Sequence, residues 1–103
     1  MGTANFSVGQ YGKNRGSGAA TLLSTTVRTS GAHTTSASAS SLADAGGAIS
    51  LAAGEILTLS CTAACRINFG GTAATATTGH YIAADVEKQF ECNDPGAVSI
   101  IEA

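Results

Sequence analysis

The sequence predicts an all-β protein, a β-sandwich or jelly-roll-like single domain with an extended N-terminal arm. Three observations carry that expectation. Thr and Ser are abundant from Ala19 onward, and β-branched Thr favours pleated surfaces. Short alternating runs recur between turn-forming clusters, the clearest being Ile56-Leu57-Thr58-Leu59-Ser60-Cys61, which sets Leu57, Leu59 and Cys61 on one face. No segment sustains a helical period, and many short, evenly spaced strands mark a sandwich or jelly roll.

Taken in order, residues 1–18 hold Gly2, Gly9, Gly12, Gly16 and Gly18. That density disfavours both a helix and a packed strand, so the segment reads as a flexible Gly-rich arm. Phe6, Val8 and Tyr11 are apolar anchors in it and Lys13 and Arg15 its charges, a pattern that suits ordering against a partner. The sandwich domain spans 19–103, with strands expected near 21–29, 32–41, 47–51, 55–61, 65–69, 72–78, 80–83, 87–92 and 97–102. Turn chemistry separates them: Asp44-Ala45-Gly46-Gly47, Ala53-Gly54-Glu55, Gly70-Gly71 and Asn93-Asp94-Pro95-Gly96. Phase and hydrophobicity put Leu57, Leu59, Cys61, Ile67, Phe69, Phe90, Cys92, Val98 and Ile100 in the core.

Residues 51–69 also echo residues 82–100 without gaps. Leu51 aligns with Ile82, Leu59 with Phe90, Cys61 with Cys92, Ile67 with Val98 and Phe69 with Ile100. Each half reads as strand, turn, strand, which predicts two similar hairpins facing one another across one core.

At 103 residues the chain is one domain, with no Trp and five aromatic residues. Much of its apolar content is Ala, which contributes little buried area. A thin core of that kind gains from disulfides, metal or oligomerisation. Charge is sparse, 5 basic against 7 acidic residues. The first 40 residues carry Lys13, Arg15 and Arg28 and no acid, whereas the remainder carries every acidic residue. A basic leader on an acidic body fits an acidic partner surface or a second copy of the chain. Three cations fall short of the basic stripe that nucleic acid demands, and no apolar run reaches the roughly 18 residues of a membrane span. Met1 opens into polar sequence without the pattern of a secretory leader, so the expectation is synthesis in a cytosol.

Catalysis is not expected. His33 and His80 have no evident acid–base partner, the serines lie in repetitive runs, and no G-x-S-x-G is present. No Gly-rich loop leads into a helix, so there is no phosphate cradle. Thr72–Thr78 offers one Thr-rich row, where an ice-binding surface repeats many. For Cys61, Cys65 and Cys92 three readings stand: buried thiols, which the reducing cytosol favours, a disulfide with one Cys left over, or a metal site with His80. No metal and no cofactor are assigned.

The second half resembles small virion proteins of tailed bacteriophages, of the capsid decoration (cement) type. The resemblance rests on the Ala-Gly-Glu turn into the strand ending at Cys61, Arg66-Ile67-Asn68-Phe69-Gly70-Gly71, Gly79-His80-Tyr81-Ile82, and the close at Pro95-Gly96-Ala97-Val98-Ser99-Ile100-Ile101. It implies a structural, non-enzymatic protein on the capsid surface, made in the host cytoplasm. It also implies a homo-oligomer, trimer favoured over dimer, docked on the major capsid protein through an extended arm. The alternative is a tail- or fibre-associated module binding a receptor or glycan.

Overall fold

The computed structural model describes residues 1–11 and 23–103. Among the described residues the protein is all-β. Its strands are β1 (Thr3–Tyr11), β2 (Leu23–Thr34), β3 (Ser40–Ser41), β4 (Ala43–Asp44), β5 (Gly47–Ala48), β6 (Ser50–Leu51), β7 (Ile56–Cys61), β8 (Cys65–Asn68), β9 (His80–Ile82), β10 (Glu87–Glu91), β11 (Gly96–Ala97) and β12 (Ser99–Glu102). Two four-stranded antiparallel sheets, ordered β10-β7-β1-β2 and β3-β12-β8-β9, form a β-sandwich. Two short ribbons, β11-β6 and β4-β5, complete it.

Strand periodicity explains which side chains meet between the sheets. The first sheet sends in Ala4, Phe6 and Val8 from β1 and Leu57, Leu59 and Cys61 from β7; the second sends in Cys65, Ile67, Ile82 and Ile100. Leu42, Ile49, Leu51, Cys92 and Val98 fill the remaining core, and Phe69 and Phe90 pack against it half-buried. Each buried Leu or Ile contributes about 1.5–3 kcal/mol. The core is therefore aliphatic rather than Ala-rich: Ala32, Ala48, Ala52, Ala53 and Ala84 are all exposed.

The flexible arm over 1–18 is corrected in its first half. Residues 3–9 form an inner strand with β7 on one side and β2 on the other, and Phe6 and Val8 are 5% and 0% exposed. Glycine density misleads here because every second residue, Ala4, Phe6 and Val8, is apolar and in phase. Burial of that face outweighs the entropy that Gly2 and Gly9 cost. The start of the strand is tied to the end of the chain: Gly2 N–H donates to Glu102 Oε2 at 2.7 Å, as does Thr35 Oγ1 at 2.7 Å. The rest of the predicted arm, with Lys13 and Arg15, lies outside the described residues, as does the Tyr11 side chain.

The echo between 51–69 and 82–100 has a different meaning from facing hairpins. In each half the chain crosses from one sheet to the other, β7 to β8 and β10 to β12. The equivalent strands pair side by side, β7 with β10 and β8 with β12. Thr72–Thr78 is not a strand but a turn held by a Thr75–Thr78 bridge. It leads to Gly79 (φ +106), where a Cβ would stand 2.6 Å from Ile67 O, so only Gly lets the chain enter β9 this close to β8.

Candidate interaction surface

The chemistry-bearing residues are dispersed. Among the described residues no three of His, Cys, Asp and Glu gather as a metal site would require. Cys61, Cys65 and Cys92 are free, buried thiols. Burial pushes the Cys61 thiol up to about 12, helped by the neighbouring Cys65 thiol, and burial also raises Cys65 and Cys92. None is a nucleophile near neutrality. His33 Nε2 lies 2.8 Å from Ser40 Oγ without a carboxylate partner, and burial lowers its pKa. His80 instead joins Phe69 and Phe90 in a triangle of rings with centroids 5.3–5.8 Å apart. That triangle closes the sandwich where β9 and β10 lie at the rims of the two sheets.

The feature that the fold does build is the β1–β2 hairpin. β1 pairs with β7 only from Ala4 to Gly9, yet the hairpin ladder continues to Tyr11 opposite Leu23. Among the described residues its outer part pairs with no third strand, and it leads into residues 12–22. Its root is held from beneath. The Thr29 hydroxyl donates to the Asp44 carboxylate, and a Cβ at Gly31 would stand 3.2 Å from the Phe6 ring and 3.3 Å from Asp44 Cα.

A bulge contributes the strongest clamp. Val8 pairs with Thr29 but Gly9 pairs with Val27, leaving Arg28 as the extra residue. Bulges re-aim side chains, and this one turns Arg28 onto Glu55: Nε to Oε2 is 2.5 Å and Nη2 to Oε1 is 3.0 Å, with Nη2 also donating to Ser50 O at 2.8 Å. Burial would raise the Glu55 pKa, but the Arg28 hydrogen bonds and the Ala52 N–H outweigh it and hold the carboxyl below its ordinary value. Arg28, counted in the sequence as part of a basic leader, is thus spent on an intramolecular pair.

Hydrogen-bond phase shows which backbone groups face outward. Thr35 N–H donates to Gly2 O at 2.9 Å. Antiparallel ladders alternate, so His33, Gly31 and Thr29 bond to β1, whereas Ser30, Ala32 and Thr34 turn N–H and C=O to the open edge. On the opposite edge Cys92 N–H donates to Glu55 O at 2.8 Å. The same alternation has Phe90 and Lys88 bond to β7, leaving Glu87, Gln89 and Glu91 outward.

The sequence-assigned residues thus divide. Leu57, Leu59, Cys61, Ile67, Cys92, Val98 and Ile100 are buried, while Phe69 and Phe90 sit at the rim. Phe6 and Val8, expected from the sequence to be partner contacts, belong to the core, because their phase on β1 faces the second sheet. The open backbone of β2 escapes sequence reading, although one signal for it is visible: a long Thr/Ser run with a single cation. No family model, curated protein or solved structure matches the chain.

Proposed function

We propose that the chain is a structural virion protein of the capsid decoration type, binding the major capsid protein, self-associating, and carrying no catalytic activity. The observation that supports this reading is the hairpin: anchored by Phe6 and Val8, its ladder runs past the last β7 pairing at Gly9, and the sequence joining its two strands bears Lys13 and Arg15. Val27, 52% exposed, lies opposite Gly9, where that outer part begins. Contacts that are weak singly become firm when several linked copies bind at once.

The test is co-sedimentation with empty heads assembled from major capsid protein. Replacing residues 12–22 by a short Gly-Ser turn keeps both strands and is expected to abolish binding. Undiminished binding removes the hairpin from the contact, and no binding by the intact chain overturns the capsid reading. A tail- or fibre-borne glycan module would instead use Tyr81, 48% exposed with Arg66 stacked at 5.3 Å; glycan-array binding lost in Tyr81→Ala would favour it.

A further inference from the structure

Among the described residues the sandwich has four edge strands, and three are unsuited to pairing with another chain. β3 is two residues long. β9 is three residues long, and the segment before it is drawn over the sheet by Arg66, which donates to Ala76 O and Gly79 O. β10 turns Glu87, Gln89 and Glu91 outward, so a two-fold self-pairing centred on Gln89 would set Glu87 against Glu91 twice. Like charges placed opposite one another destabilise a ladder, and charged edges resist pairing.

Among the described residues β2 shows none of these protections over 27–34. Over 27–34 its one charged side chain, Arg28, is bound to Glu55. Its inner neighbours, Asp44 and Ser40, engage Thr29 and His33 from below. Among the described residues no backbone hydrogen bond links 27–34 to anything but β1. The outward residues Ser30, Ala32 and Thr34 are small, uncharged and exposed.

We propose that two copies of the chain associate by pairing their β2 strands antiparallel about a two-fold axis at Ala32, joining their first sheets into one. In this register Ala32 faces its counterpart and Ser30 faces Thr34 of the second copy. All three outward residues of each strand then find partners. The pairing is isologous and closes at two copies, which fits the dimer rather than the trimer expected from sequence. The inference deepens the self-association within the proposed function and is independent of the capsid.

Sedimentation of the intact chain at micromolar concentration tests it. A dimer is expected, with Ala32→Pro weakening association about 30-fold by removing one outward N–H from each copy. Pro at an outward-facing edge position leaves the monomer ladder intact, and an unchanged melting curve checks this. Should that variant unfold, Ala32→Lys serves instead, setting two cations face to face. Mild oxidation is expected to cross-link Ala32→Cys. It should spare Ser30→Cys, whose counterpart lies four residues along, about 14 Å away. A dimer indifferent to these substitutions overturns the β2 pairing while leaving self-association standing. A monomer overturns both, and open-ended polymers would point to β2 pairing with β10 instead. Head binding is scored separately, so its loss alone bears only on the capsid reading.

Discussion

β2 and β10 border the same four-stranded sheet, and each turns the backbone of three residues outward: Ser30, Ala32 and Thr34 on one side, Glu87, Gln89 and Glu91 on the other. The geometry is matched and the chemistry is opposite. One edge repels its own copy through two carboxylates, and the other offers small neutral side chains over an open ladder. The uneven charge of the sequence thereby acquires a structural meaning. Acidic residues of the second half guard an edge, and the near-neutral stretch of the first half leaves one open.

The contrast depends on β2 being held in place by β1, and the largest expected effect tests that support. Phe6→Ala should cost about 3–5 kcal/mol in urea unfolding, as truncation of a buried aromatic does. A loss below about 1 kcal/mol would return the leader to an arm and dissolve the comparison.

Next comes the clamp that fixes the β2 bulge. Arg28→Ala strands a carboxylate that is 4% exposed and should cost about 2–3 kcal/mol near neutrality, the range for a charge-bearing hydrogen bond whose buried partner is left behind. The pH dependence follows from the same group. Hydrogen bonds from Arg28, opposed by burial, leave Glu55 below its ordinary pKa. Thr29 does so for Asp44 and Thr35 for Glu102. Carboxyls depressed in the folded state stabilise above their unfolded pKa of about 4, and that contribution is lost as pH falls through the folded values. Urea midpoints should hold from pH 7 to about 5 and then decline. In Arg28→Ala only the Ala52 N–H still opposes the burial of Glu55, so the decline should begin at higher pH; an unchanged profile would show that the ion pair does not govern the edge.

The comparison can also be erased from the other side. Replacing Glu87 and Glu91 by Thr makes β10 resemble β2, and sedimentation should then show association beyond the wild-type state. Unaltered mass would mean that charge is not what protects β10. The smallest effect concerns the core beneath both edges: with its pKa raised to about 12, Cys61 should react with iodoacetamide in native protein only at the rate of unfolding. Prompt alkylation would show the core to be open.

Much of the body is legible in the sequence because strand phase survives into packing: Leu57, Leu59 and Cys61 alternate along one strand and bury together. The leader misleads because its composition speaks louder than its phase, and five glycines obscure the alternation of Ala4, Phe6 and Val8. The echo reveals repetition but not pairing. Strand-turn-strand describes a hairpin and a sheet-to-sheet corner equally, and only long-range contacts separate them. The open edge of β2 is a property of hydrogen-bond phase, which no residue type encodes; the bulge at Arg28 is likewise invisible until the register against Gly9 is known.

Amide hydrogen exchange measured residue by residue at two protein concentrations tests the contrast between the edges most directly. In dilute solution the amides of Ser30, Ala32, Thr34, Glu87, Gln89 and Glu91 should all exchange freely. On concentration the first three should become protected and the last three should not. Protection that never appears on β2, or that appears on β10, would contradict the account.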